Sequence, residues 1–295
     1  MSNLRSSKPY LLLVVAAAYL LAASTGLFVL GLTEGGIISR LLIADVAATV
    51  VIWLIGTSLK NSSLYDPYWS VAPPLLILGY AFFGGGVIGI PRGGLVAVLV
   101  LAWAWRLTWN CLRRWENLTH EDFRYIDKRA QTGRFYPLVD LFGIQLLPTV
   151  LVFAGCLPFY AIFVEGGSAW NLLDVLALAV TAGAIIIEWR ADRTLWQFQE
   201  KAEPGALCQE GLWARVRYPN YLGELGFWCG LWLFALAAGF QFWWTGIGFL
   251  AMVCLFRFIS IPMMEARKEE RRPGYRQKVS HLPMLLPKPG RMPVK

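Results

Sequence analysis

The sequence predicts an all-α membrane protein, a polytopic bundle of about eight transmembrane helices. Three observations predict it. The 295 residues are 57% hydrophobic and only 16% charged, with a mean hydropathy of +0.50, whereas a water-soluble domain of that length needs more charge to cover its surface. Apolar windows of roughly 17–25 residues, the length a helix needs to cross a bilayer, recur along the chain. The basic residues also collect on alternate connections between those windows.

The expected spans are Tyr10–Leu32, Ile37–Gly56, Trp69–Ile90, Gly93–Leu112, Leu138–Val164, Trp170–Trp189, Tyr221–Phe240 and Phe242–Met264. Arg5 and Lys8 precede the first as they would in a secretory signal. The run is longer than the roughly 7–15 apolar residues of such a signal and lacks a small-x-small cleavage site, so it reads as a retained helix. The second span carries Arg40, expected to snorkel to the outer interface, and Asp45, which at membrane depth needs a polar partner. The third and fourth are separated by a turn at Pro91-Arg92-Gly93-Gly94. Arg106 lies mid-segment among Trp103, Trp105, Trp109 and Trp115 and must face the protein interior. Pro148 and Pro158 are expected to kink the fifth span.

Charge placement orients the bundle. With the N-terminus inside, every Lys and Arg except Arg40, Arg92, Arg106 and Arg257 falls on an inward-facing segment. By the positive-inside rule both termini are then cytoplasmic, and the inner membrane of a bacterium is the expected location. The net charge of +8 is accounted for by loops facing anionic lipid or an anionic cofactor, with no call for nucleic acid. Five cysteines and two histidines form no Cys-x-x-Cys or Cys/His cluster, so no metal site of a common type is expected.

Two regions carry candidate chemistry. The first is Leu64-Tyr65-Asp66-Pro67-Tyr68-Trp69, just before an apolar helix, followed later by Glu121-Asp122-Phe123-Arg124-Tyr125. One reading is an aromatic belt at the headgroup level and a solvated helix with Glu121–Arg124 and Arg124–Asp127 pairs at i,i+3. The other is an acid site in which Asp66, Tyr68 or Tyr125 polarises a substrate carbonyl, which requires a carboxyl pKa raised by burial.

The second region runs from Glu188 to Glu224. Glu188 and Asp192 are i and i+4 on a helix and share a face, flanked by Arg190 and Arg193. Carboxylates suit ribose hydroxyls or an amide, and arginines suit phosphates. After a Pro204-Gly205 turn, Arg215-Val216-Arg217-Tyr218-Pro219-Asn220-Tyr221-Leu222-Gly223-Glu224 enters the next span. Asn220 and Glu224 are again i and i+4 and could hold a carboxamide or an adenine edge, or Asn220 could simply cap the helix. In the C-terminal tail Arg267 and Arg271 share a face and Tyr275 follows Pro273-Gly274. These supply either a lipid anchor or ligands for a nucleotide. No Gly-x-Gly-x-x-Gly or P-loop stretch is present.

The Arg217–Glu224 stretch resembles the C-terminal signature of the steroid 5-alpha-reductase-like membrane enzymes. Asp66–Trp69, Glu121–Tyr125 and Ser260–Glu265 resemble the large bacterial branch of that family, and the likeness spans about Ser58 to Pro287. The resemblance implies a seven-helix reductase core, with residues 1–57 adding N-terminal helices to a reductase-like domain at 58–295. It implies reduction of a conjugated C=C bond in a lipophilic enone with NADPH bound from the cytosol. Carried over by position, Asp192, Asn220, Glu224, Arg267 and Tyr275 are cofactor positions. Arg271 stands where the reductases have a histidine and Glu188 where they have an asparagine. Arg217 and Tyr221 flank Asn220 and join the cofactor set. Trp103 falls where the steroid-reducing members place a tyrosine, so the substrate half matches less well than the cofactor half. Two rivals remain: an enzyme resembling the isoprenylcysteine methyltransferases, using S-adenosylmethionine, and a non-catalytic lipid-binding protein. The methyltransferases have a histidine where this chain has Tyr218.

Overall fold

The computed structural model describes residues 5–85, 91–203 and 205–287. The expected end of the third span, at Ile90, and Pro204 of the Pro204-Gly205 turn lie outside them. The described residues are helical with no strand. Among the described residues, seven helices are long and apolar enough to cross a membrane: α1 (Lys8–Leu32), α2 (Ile37–Leu59), α4 (Pro91–Arg114), α5 (Phe123–Gly155), α6 (Leu172–Lys201), α7 (Pro219–Ala238) and α8 (Phe240–Arg271). Large apolar side chains such as Leu13, Leu20, Phe28, Leu101 and Phe258 are exposed on them, the surface that lipid covers. The protein is an integral membrane protein with an all-α bundle.

The expected third span is a shorter helix, α3 (Tyr68–Phe83), of 16 residues. At ~1.5 Å per residue it reaches ~24 Å, short of the ~30 Å hydrocarbon core. The expected turn at Pro91–Gly94 is instead the first turn of α4. Proline at a helix start has no N–H to leave unpaired and a φ already suited to the helix. The chain clusters into two compact units, Met1–Ser168 and Ala169–Lys295.

In the first unit, α1 and α2 pack through small side chains. Ala18, Ala22 and Ala48 are buried in that core. A Cβ on Gly26 would come within 3.2 Å of the Ala44 carbonyl oxygen, so glycine lets the backbones approach. Arg40 is half-buried and its Nη2 donates to the Leu30 carbonyl at 3.0 Å. It thus serves the end of α1, where carbonyls lack donors and the helix dipole favours a cation. Asp45 is buried and finds its polar partner in the Tyr68 hydroxyl, which donates to Oδ1 at 2.6 Å. On α4, Trp103 and Arg106 are buried, as is Trp115 just past its end, while Trp105 and Trp109 face outward and stack with centroids 6.0 Å apart.

Proline explains where α5 and α8 change winding. Both widen to a π-turn, over Asp140–Leu146 and Phe256–Ser260, one residue before the residue that precedes Pro148 and Pro262. Leu147 N–H bonds to the Phe142 carbonyl and Ile261 N–H to that of Phe256, five residues back. The wider ladder lets the carbonyl that a proline cannot serve pair with the following N–H. The helix then ends at Gly155, before Pro158.

In the second unit, α6 opens on a capping box in which the Asn171 side chain accepts from Leu173 N–H at 3.0 Å and Asp174 accepts from Asn171 N–H at 2.9 Å. The seam between α6 and α7 is built on glycine. A Cβ on Gly223 would lie 2.2 Å from Glu188 Cγ, and one on Gly230 2.0 Å from Thr181 Oγ1. Such distances are far inside van der Waals contact, so only glycine allows this approach. α8 leaves the apolar zone as the charged segment Ile261–Arg271, and a short helix at Tyr275–Lys278 follows.

Candidate functional site

In the first unit, the loop before α3 and the loop before α5 are stitched together by polar contacts. Asn61 Nδ2 donates to the carbonyls of Leu118 at 2.8 Å and His120 at 3.0 Å. Ser62 N–H donates to Glu121 Oε1 at 2.7 Å, and Asp122 N–H to Ser63 Oγ at 2.8 Å. Glu121 is held in a two-pronged pair by Arg129 at 2.6 and 2.8 Å, rather than pairing with Arg124 at i,i+3 as expected. Arg124 bonds Asp122 at 2.7 Å. The 3D contacts therefore take priority over the local helix pairs, and this segment is not merely a solvated helix.

That scaffold brings Asp66 and Tyr125 together. The Tyr125 hydroxyl donates to Asp66 Oδ1, and Arg124 Nη2 approaches the same oxygen at 3.5 Å. The Asp66 side chain is 21% exposed. Burial raises its carboxyl from 3.8 to about 6, against the downward pull of Arg124 and the Tyr125 hydrogen bond. Burial thus shifts the carboxyl upward, the direction in which the acid reading expects it to move. Tyr68, the third candidate, is bound elsewhere, on Asp45. Tyr65 stacks on it at 5.3 Å and bonds Thr149 Oγ1 at 2.8 Å.

In the second unit the cofactor candidates fall into two groups. Glu188 lies buried against Gly223, in the turn of α7 that carries Asn220 and Glu224. Glu224 is buried and accepts from Trp228 Nε1 at 2.8 Å. The Asn220 side-chain carbonyl, Oδ1, is shut off from solvent with no hydrogen-bond partner among the described residues. Buried polar atoms are paired in the great majority of cases, and this carbonyl is an exception among the described residues. Asp192, half-buried, follows Glu188 by one turn.

The second group gathers where the tail returns. Arg217 is tied down: its guanidinium pairs with Glu265 and donates to the Leu282 carbonyl at 3.0 Å, while its N–H bonds Pro283 O at 2.9 Å. Tyr221 stacks on Tyr218 at 5.3 Å and leans on Phe256 at 4.7 Å. Tyr275 is buried, and Lys268 Nζ reaches its hydroxyl at 3.3 Å while lying 4.3 Å from the Tyr218 ring centroid. Burial raises the Tyr275 hydroxyl above its usual 10.0. Arg267 pairs with Glu270 at 2.7 Å, and Arg271 is exposed. Lys268 was missed by sequence reasoning, because a lysine in a basic tail looks like surface charge until the fold closes aromatic rings around it.

A model of the family described as "Protein of unknown function (DUF1295)" matches residues 52–281. The chain belongs to the DUF1295 family. It is also 28% identical over 250 residues to the uncharacterized protein C594.04c of Schizosaccharomyces pombe, covering 77% of this chain and 72% of that protein. No solved structure matches. The DUF1295 match takes in every candidate from Asp66 to Tyr275 and begins after Asp45, so the Asp45–Tyr68 bond joins a residue outside the matched segment to one inside it.

Proposed function

We propose that the protein is an NADPH-dependent reductase of a conjugated C=C bond in a lipophilic, steroid-like or other lipid enone. The observation that carries this reading is the orphaned carbonyl of Asn220 beside two buried carboxylates, Glu188 and Glu224, on the seam of α6 and α7. An acceptor set of that kind suits the amide and amine donors of a dinucleotide. NADPH, when bound, supplies the hydride that reaches the β-carbon of the enone.

The protein's own residues do the rest. Asn220 Oδ1 accepts an N–H and orients the ring; Asp192 and Glu188 accept hydroxyl or amine hydrogens; Tyr221 and Tyr275 offer flat apolar faces. The tail cations Arg267 and Arg271 balance phosphate charge. Arg217 acts indirectly, holding the tail segment Leu282–Met284 against the start of α7. In the first unit the Asp66–Tyr125 couple holds a proton of the kind an enone reduction consumes. Tyr68, bonded to Asp45, has a supporting part. Both termini face the cytoplasm of a bacterial inner membrane in this reading, by the placement of Lys and Arg, and lipid and a lipophilic substrate are the partners.

The test is a titration of the detergent-purified protein with NADPH, followed by nicotinamide fluorescence and melting temperature. A ligand that binds the folded state raises that temperature. Replacing Asn220 by Ala removes one neutral hydrogen bond and is expected to weaken NADPH roughly two- to tenfold. A response to S-adenosylmethionine in place of NADPH, or an Asn220→Ala protein that binds NADPH as the wild type does, overturns the assignment.

A further inference from the structure

The second unit has an open cleft with a volume of about 360 Å³, lined by Arg190, Arg193 and Arg215 together with Thr194, Gln197 and Gly211. None of these six is among the cofactor positions carried over by the resemblance, although Arg190 and Arg193 flank Glu188 and Asp192 along the chain. Helix geometry explains the separation. At about 100° per residue, Arg190, Arg193, Thr194 and Gln197 lie roughly 140–240° around α6 from Glu188, while Asp192 lies only about 40° from it. The cleft is therefore on the opposite face of the helix.

The cleft is built rather than incidental. Gly211–Ala214 forms a single tight turn that lies against α6. Trp213 is buried there and its Nε1 donates to the Ala191 carbonyl at 2.9 Å. Ala191, Cys208 and Trp213 form a small core, with Leu195, Phe198 and Leu212 packed against it. Gly211 has φ +55, and a Cβ there would approach Thr194 Oγ1 at 3.7 Å. This anchoring fixes Arg215, just past the turn, across from Arg190 and Arg193.

Among the described residues, none of the three guanidiniums makes an ion pair; Arg193 lies over the Trp189 ring at 5.3 Å and Arg190 and Arg215 have no side-chain hydrogen bond. Cations that served only to orient the chain in the membrane could spread over the loop. Holding three in one concavity without a carboxylate costs repulsion that a bound anion removes. Arginine forks with a neighbouring hydroxyl and amide match the oxygens of a phosphate.

We infer that this cleft is a phosphate-binding site, distinct from the nucleotide face, for the phosphate of an anionic lipid headgroup or of a soluble phosphate compound. Exposed Trp189 and Trp196 on the same helix, at the end of its apolar run, put the cleft at headgroup level. The inference stands independently of the reductase reading.

The test uses the full chain in neutral detergent, titrated in parallel with short-chain phosphatidylglycerol, short-chain phosphatidylcholine and sodium pyrophosphate, with melting temperature as the readout. Phosphatidylglycerol is expected to stabilise where phosphatidylcholine does not, if the source is lipid; pyrophosphate is expected to stabilise, if the source is soluble. Either response must weaken at least tenfold in Arg190→Gln/Arg193→Gln/Arg215→Gln and persist in Arg276→Gln, an exposed cation elsewhere. If the triple variant does not fold, the three single variants, each at an exposed position, decide the same question by the same loss of affinity. No response from the wild type to either phosphate, or a response unchanged in the cleft variants, overturns the proposal.

Discussion

Replacing Asp66 by Asn tests the first unit most directly, because it removes the titrating proton while keeping the shape. Burial raises the Asp66 carboxyl from 3.8 to about 6. For an acid raised in this way, the folded state keeps a proton that the unfolded state has lost. Stability therefore falls as pH rises through that window, the reverse of a salt-bridged carboxylate. With the side chain 21% exposed, the shift of about two units corresponds to about 3 kcal/mol between pH ~4 and ~6. For a chain of this size that is on the order of 5–10 °C in melting temperature. The assay is a series of thermal melts in one detergent from pH 4 to 7, for wild type and Asp66→Asn. The difference between the two curves isolates Asp66 from every other titrating group. Wild type is expected to lose its advantage over the variant as pH rises, and to level off above about 6. A difference that does not change with pH refutes the burial argument. If the proposed reduction is the activity, the same proton sets its profile: the rate is expected to slow about tenfold per pH unit above about 6, and Asp66→Asn to lack that dependence.

Two further substitutions probe the scaffold on which the candidates sit. Gly223→Ala places a methyl 2.2 Å from Glu188 Cγ and 2.8 Å from the Ala184 carbonyl oxygen; overpacking of this kind costs about 1–3 kcal/mol, and if the proposed cofactor site is right the displaced Glu188 is expected to lower NADPH affinity in the same preparation. Thermal melts that match wild type, with NADPH bound as tightly, would show that α6 and α7 are not in backbone contact. Glu121→Ala leaves the buried Ser62 N–H without its acceptor and Arg129 without its pair. The stranded N–H costs about 1–3 kcal/mol, and the two loops are expected to exchange amide hydrogens faster, measurable by mass spectrometry on peptides covering residues 58–69 and 113–134.

The spans were legible because lipid imposes one strong rule, a long apolar run; of the eight runs read in the sequence, seven are long enough helices among the described residues, and the third is shorter. The misreadings come from local chemistry that a second solution satisfies equally well. Pro91-Arg92-Gly93-Gly94 has turn composition, yet proline opens a helix as readily as it makes a turn. Glu121 and Arg124 have helix-pair spacing, but Asp122 caps its own helix by accepting from Arg124 N–H at 2.9 Å, and Glu121 is drawn to Ser62 and Arg129 instead. Asp66 and Tyr125 were each visible as candidates; that they share a hydrogen bond depends on the contacts of Asn61 and Ser63, whose small polar side chains carry no signal along the chain. Arg217 shows what local spacing leaves out. Its position beside Asn220 fitted a ligand role, and only the folded tail reveals Glu265 and the Leu282 carbonyl as its partners.

This sorting of polar groups at the membrane edge separates support from function. A charged or amide group there is costly unless something satisfies it. Arg40 is answered by Leu30, Asp45 by Tyr68, Glu121 by Arg129 and Ser62, and Arg217 by Glu265. Each pairing holds two elements together, and substitution there is expected to loosen the fold before it touches any chemistry. Among the described residues the buried Asn220 carbonyl has no hydrogen-bond partner, and the exposed guanidiniums of Arg190 and Arg215 make no side-chain hydrogen bond. Asn220 and Arg190 lie on helices in glycine contact at the α6–α7 seam, and Arg215 follows the turn that Trp213 ties to α6. Groups kept unsatisfied on rigid supports are the ones a ligand completes. On that argument the two places where a ligand is to be sought first are the α6–α7 seam at Asn220 and the cleft of Arg190, Arg193 and Arg215.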